Sequence, residues 1–206
     1  MIEFFFDCSS PWTYIAFRNI QPIAAELKVP IVWRPVLVGG IFNVANKNVY
    51  ANREDMNSAR NRYMLKDVQD NASAAGMKIV FPPRVFPVSS VKAMRGCIWV
   101  AQDTEAQGKH LAFVEAVFAA YFTHDLDISQ DDVLAGICKQ VGIDADAFLA
   151  GITQPAVKDQ LKANVDEAVA RGAFGAPTFF IGDDMYFGND RLGLVRDAVV
   201  RVRSNG

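Results

Sequence analysis

Strand-forming sequence is confined to the two ends of this 206-residue chain, and residues 39–172 between them carry helical periodicity almost throughout. At the front, Ile2–Phe6 is an apolar, aromatic run closed by Asp7, with the length and residue types of a buried strand. Ser10-Pro11 then reads as N-cap and first helical residue, and Trp12, Ile15, Ala16, Ile20, Ile23, Ala24 and Leu27 recur at helical spacing. A second strand is expected within 29–38, with Pro35 placing it at a sheet edge or bulge. At the back, 177–181 and 185–187 flank a Gly182-Asp183-Asp184 turn, and Asn189-Asp190 caps a last helix through Leu192, Val195, Val199 and Val202. A chain ordered this way must close one sheet from both of its ends.

Between those ends the periodicity predicts helices over 53–75, 90–107, 109–122, 130–141, 145–149 and 155–171. Ser89, Ser129 and Asp144 serve as caps, Thr153 stands two residues before Pro155, and Gly76, Gly142 and Gly172 stand at helix ends. Only 79–81 reads as extended. The outline is α/β: a thioredoxin-like domain split between 1–38 and 173–206, with a large, mainly helical insertion over 39–172.

Composition excludes several classes. Lys plus Arg is 21 against 23 for Asp plus Glu, a net charge of −2 that offers no electrostatic footprint for nucleic acid or an acidic membrane. Cys8, Cys97 and Cys138 are spaced 89 and 41 apart with no close pair, which is expected to exclude a disulfide framework, a paired-cysteine zinc site and a redox dithiol. His110 and His124, 14 apart, are not a helical metal pair and read as helix-end or surface residues, so no metal is expected. The start, acidic at Glu3 and without a basic residue, does not read as a secretory signal. The apolar stretch 111–122 is broken by Glu115 and falls short of the roughly 20 residues that cross a bilayer. A cytoplasmic protein is the expectation.

Three segments carry chemistry. Where the first strand delivers the chain onto the first helix, unpaired N–H groups and the helix dipole favour an anion, the setting in which thioredoxin-like folds hold a low-pKa thiolate. Ser10-Pro11-Trp12-Thr13 occupies that frame with hydroxyls where oxidoreductases carry cysteines. A thiol supplied by a ligand, hydrogen-bonded by Ser10, fits this pattern; Ser10 as a plain N-cap fits it too. Gly172-Ala173-Phe174-Gly175-Ala176-Pro177 ends on a proline before a strand, as the cis-proline of thioredoxin-like proteins does. Phe187-Gly188-Asn189-Asp190 offers a carboxylate and a helix N-terminus suited to an amino-acid head group.

With these segments the chain resembles, over essentially its whole length, the 2-hydroxychromene-2-carboxylate isomerases and the related kappa-class glutathione transferases. The matching pieces are Phe6-Asp7, Ser10-Pro11-Trp12-Thr13-Tyr14, Arg34-Pro35, Gly39-Gly40-Ile41-Phe42, 63–67, Ala93-Met94-Arg95, 172–177 and 187–191. The resemblance implies that glutathione is the cofactor and that Ser10 is the catalytic serine. It gives Ala176 and Pro177 to the cysteinyl unit and Phe187, Gly188, Asn189 and Asp190 to the glutamyl end. The loop over 42–53 corresponds to the substrate loop, with Asn46 and Asn52-Arg53 competing for one family asparagine, and Trp12 and Phe86 as aromatic walls or core. Cys8-Ser9 departs from the apolar residues usual there. The implied activity is cis/trans isomerisation of an aromatic or conjugated carboxylate by a homodimer; a conjugating transferase and a non-enzymatic glutathione-binding module are the alternatives.

Overall fold

In the computed structural model, which describes residues 1–49 and 58–204, four strands form one mixed sheet. Strands β1 (Ile2–Phe6) and β2 (Ile31–Pro35) run parallel, joined by α1 (Pro11–Leu27). Strand β3 (Thr178–Ile181) is antiparallel to β1 and forms a hairpin with β4 (Asp184–Phe187), giving the order β2-β1-β3-β4. β1 is central and covered on both faces, which is why it reads as an apolar run rather than as an alternation. Phe4 stacks on Phe179 at 4.5 Å on one face, and Phe5 meets Phe180 edge-on at 5.5 Å on the other. Each ring buried this way contributes on the order of 1.5–3 kcal/mol. Pro35 closes β2 on the sheet's outer edge, where a missing N–H costs no ladder bond.

Seven helices described between β2 and β3 are α2 (Val38–Ala45), α3 (Ala59–Ala74), α4 (Val91–Gln102), α5 (His110–Phe122), α6 (Asp131–Val141), α7 (Ala145–Gly151) and α8 (Pro155–Ala170); α9 (Leu192–Ser204) follows β4. The main core runs unbroken from Phe4 and Phe6 through Tyr14 and Phe17 into Phe113, Phe118 and Phe122, with Tyr14 stacked on Phe118 at 4.9 Å. A smaller core under α8 gathers Phe5, Val36, Ile41, Ala168, Ala173 and Phe180. The fold is the α/β thioredoxin-like arrangement with a helical addition that the sequence pattern implies.

Several boundaries differ from expectation for identifiable reasons. The second strand stops at Pro35 and residues 38–45 form a helix, so Phe42 belongs to α2 rather than to a loop. The Asp7 carboxylate takes the Val38 N–H at 2.7 Å, and Gly40 packs against Val165 so closely that a Cβ would lie 3.2 Å from it. Helix α3 begins at Ala59, capped by the Ser58 hydroxyl on the Asn61 N–H, and the first residues of the expected helix, 53–57, lie outside the described residues. Ser90, not Ser89, precedes α4, and Gln130, not Ser129, precedes α6, in neither case with a side-chain cap bond. α4 ends at Gln102 because the Asp103 carboxylate accepts the Glu105 and Ala106 N–H groups in a competing turn. A 3-10 turn over Gln107–Lys109 leaves His110 as the first residue of α5. Residues 79–81 join no ladder and make one backbone bond, Val80 N–H to Phe122. Asn189 and Asp190 lie inside a 3-10 turn rather than capping α9.

Candidate functional site

Pairing of β1 with β3 sets the ends of two distant segments side by side: the turn that leaves β1 and the loop that enters β3. Ser10 is the N-cap of α1, with extended backbone, and its hydroxyl oxygen accepts the Thr13 N–H at 3.3 Å. The same hydroxyl donates to the Ala176 carbonyl at 3.4 Å, across 166 residues of sequence. That contact is at the long limit of a hydrogen bond and is easily exchanged for a stronger acceptor. The Ala176–Pro177 bond is cis, as the sequence motif implies. Pro11 lacks an N–H, and those of Thr13 and Tyr14 are taken by Ser10, leaving the Trp12 N–H without a protein acceptor among the described residues. Free N–H, helix dipole and hydroxyl therefore converge where an anionic sulfur would sit.

Beside this point opens a cavity of about 630 Å³. It brings together Ser10, Trp12, Asn46, Phe86, Ala176 and Phe187 among the residues singled out by sequence. Asn46 donates to the Phe174 carbonyl at 3.4 Å, and the Phe174 and Phe187 rings lie 4.4 Å apart. Gly175 is required there, since a Cβ would lie 2.8 Å from the Phe187 ring. Pro177, Gly188, Asn189 and Asp190 do not line the cavity. Asn189 instead accepts from Asn19 on α1 at 3.0 Å, and Asp190 is paired with Arg191 at 2.5 Å. Asn52 and Arg53 lie outside the described residues.

Among the lining residues to which the sequence assigned no site role are Asp7, Arg60 and Met64, whereas Phe42, expected in the substrate loop, does line the cavity. Arg60, in the first turn of α3, is exposed at the cavity and has no ion-pair partner among the described residues. Its place one turn before the Tyr63 motif is the only sequence signal for it. Asp7 is fully buried; burial pushes its carboxyl up, against the lowering effect of bonds from Val38, Ser9 and Ser90.

The cysteines stand differently from what their spacing implies. Cys8 and Cys97 meet inside the core, where burial and the neighbouring Cys97 push the Cys8 thiol well above its ordinary value. Spacing of 89 residues therefore does not keep them apart. Both are wholly buried and neither lines the cavity, so no thiolate nucleophile comes from them.

A thioredoxin-like helix start that presents hydroxyls instead of cysteines, facing a cis-proline loop, defines a thioredoxin-fold protein whose motif thiols are absent. The chain belongs to the DSBA-like thioredoxin domain family, whose model matches residues 1–200. It is 29% identical over 191 residues to a 2-hydroxychromene-2-carboxylate isomerase of Sphingobium xenophagum, covering 93% of each chain. It is 26% identical to a glutathione S-transferase kappa 2 of Caenorhabditis elegans, covering 96% of this chain and 90% of that one. A solved structure of 2-hydroxychromene-2-carboxylate isomerase superposes with a TM-score of 0.80 at 26% identity, covering 99% and 97%. Among the described residues no helix is long and apolar enough to cross a membrane.

Proposed function

We propose that this protein is a glutathione-dependent cis/trans isomerase acting on an aromatic or conjugated carboxylate, in the manner of 2-hydroxychromene-2-carboxylate isomerases. The observation that carries the reading is the Ser10 hydroxyl, set at the start of α1 and 3.4 Å from the carbonyl before cis-Pro177, at a cavity that no cysteine lines. The names of the relatives, isomerase and kappa-class glutathione transferase, support the same pairing of activity and cofactor.

Bound glutathione supplies a sulfur nucleophile whose reversible addition to a conjugated carbon turns a double bond into a rotatable single bond, and which leaves unchanged after elimination. Ser10 turns its proton from the Ala176 carbonyl to the sulfur, and the Trp12 N–H adds a second donor. Ala176 and Pro177 bound the cysteinyl unit, its backbone pairing alongside β3. Phe187, Gly188, Asn189 and Asp190 receive the glutamyl end, with Asp190 exchanging Arg191 for an ammonium group. Phe42, Phe86 and Trp12 enclose a planar substrate and exclude water, and Asn46 holds the Phe174 loop against it. Arg60 is the described cation on this cavity and takes the substrate carboxylate, the role that Arg53 would share. The working unit is proposed as a homodimer, which sedimentation of the purified chain tests.

Purified protein given 2-hydroxychromene-2-carboxylate with substoichiometric glutathione should convert many equivalents of substrate and return the glutathione unaltered. Stoichiometric build-up of a thioether would instead assign a conjugating transferase, and turnover without glutathione would remove the cofactor from the reading.

A further inference from the structure

We propose that Asp7 is a positioning residue that holds Ser10 in register with the opposite walls of the cavity; the inference rests on the glutathione reading above. Asp7 is the one carboxylate that lines the cavity among the described residues, and it is 1% exposed. Its Oδ1 accepts the Ser9 N–H at 2.9 Å and its Oδ2 the Val38 N–H at 2.7 Å. The Ser9 and Ser90 hydroxyls lie near enough to favour the charged form, and the Asp7 carbonyl accepts the Ser10 N–H at 3.2 Å.

Two roles are open to a buried carboxylate beside a thiol site: proton acceptor or clamp. Each carboxylate oxygen is already held by a backbone N–H from a different segment, at 2.9 and 2.7 Å, so the geometry favours the clamp. The two N–H donors come from two segments that line the cavity, the β1–α1 turn through Ser9 and the first turn of α2 through Val38, and Ser90 of the stretch before α4 stands beside them. Asp7 thus ties the place where the sulfur binds to the walls that carry Phe42 and Phe86. A charged acceptor suits this better than a neutral one, because an amide at this place would turn an N–H toward donors.

Charge and clamp make opposite demands on one substitution. Asp7→Asn removes a negative charge near the sulfur, which by itself lowers the thiol pKa and speeds turnover near neutrality. Loss of the clamp moves Ser10 and does the reverse. The clamp predicts that Asp7→Asn lowers kcat for 2-hydroxychromene-2-carboxylate by about tenfold or more, the effect of losing one charge-assisted hydrogen bond. It also predicts that bound glutathione titrates at higher pH by thiolate absorbance. Ser90→Ala keeps the charge and both backbone bonds while removing a hydroxyl beside the carboxylate, and should shift both readouts in the same direction by roughly two- to threefold, with thermal stability near the parent's. A folded Asp7→Asn that turns over as fast as the parent, or whose glutathione titrates lower, overturns the proposal; should it not fold, Ser90→Ala with unchanged kcat and titration does so. A parent protein that fails to depress the thiol of bound glutathione sinks the glutathione reading and this one together, whereas a depressed parent with unshifted variants sinks the positioning role alone.

Discussion

The cavity has two unlike walls. One is the β1–α1 turn and the 172–177 loop, whose meeting is fixed by backbone: β1 and β3 pair residue by residue, so Ser10 and Ala176 arrive together whatever the side chains around them. The other consists of α2, the start of α3 and residues 86–91, which converge through single side-chain bonds such as Asp7 to Val38 and Asn46 to Phe174. A ladder is cooperative and resists single substitutions, whereas isolated bonds do not. On the function proposed above, the sheet-side wall suits the task of holding a sulfur anion, and the helical wall the adjustable task of choosing what that sulfur attacks.

Acid should have the largest effect, and it acts beyond both walls, in the helical core. His110 heads α5, one ring N–H bonded to the Cys97 carbonyl and its Nε2 without a partner, and burial lowers its pKa to about 4. The unfolded chain takes a proton near pH 6.5, which the folded chain refuses until about pH 4. Stability contributed by the neutral ring is thus complete above pH 6.5 and is lost as pH falls, by about 3 kcal/mol across that window. Denaturant titrations at pH 7 and pH 4.5 should show much of this loss, and His110→Asn should flatten it. An unchanged pH slope in the variant would move the acid sensitivity elsewhere.

Next in size is the sheet-side wall itself. On the glutathione reading, Ser10→Ala removes a hydroxyl bond to an anionic sulfur worth roughly 1.5–3 kcal/mol, so bound glutathione should titrate about one to two pH units higher. Turnover at neutral pH should fall by roughly ten- to a hundredfold and recover in part as pH rises. The lost cap costs about 1 kcal/mol of stability and is measured separately by thermal unfolding. Equal thiolate titrations with reduced turnover would leave Ser10 a cap and substrate contact only.

How legible each wall was follows the same division. Ser10, Ala176 and the strands that carry them were readable because strand–turn–helix punctuation is local: an apolar run, a Ser-Pro cap, a proline opening a strand. Helix α2 was not, since 36–41 continues an apolar, β-branched run and Gly39-Gly40 argues against helix on propensity. What forms it is tertiary: the Asp7 bond to Val38 and the close fit of Gly40 on Val165. Asp7 reads as a strand end, and Arg60 is one charge inside the helix predicted over 53–75, because a charge reveals its task only once its neighbours in space are known. The meeting of Cys8 with Cys97 was hidden for the same reason.

A smaller effect is expected from the helical wall's cation. Arg60→Gln should raise KM for the carboxylate substrate by roughly three- to tenfold, less than a buried ion pair would because the guanidinium is solvated. The bound thiol should titrate as in the parent. A change in thiol titration with no change in KM would mean that Arg60 serves the sheet-side wall instead, and the division of labour between the walls would not hold.

The smallest effect sharpens the comparison most, because it asks whether any protein thiol belongs to the sheet-side wall. Cys8 stands two residues before Ser10, yet it is wholly buried, its thiol lies against Cys97, and its N–H reaches the Met94 sulfur at 3.2 Å. A thiol whose pKa is pushed up by burial is almost entirely protonated near neutrality and is a poor nucleophile. Cys8→Ala should therefore leave turnover within about twofold of the parent, while removing one buried sulfur costs on the order of 1 kcal/mol of stability. Steady-state rates and thermal unfolding on the same sample separate the two. A loss of turnover beyond about tenfold at full folding, equivalent to roughly 1.4 kcal/mol in the barrier, would put the reacting sulfur on the protein. In that event Ser10 would be serving a thiol of the chain itself, and the hydroxyl-for-cysteine exchange at the start of α1 would lose its meaning.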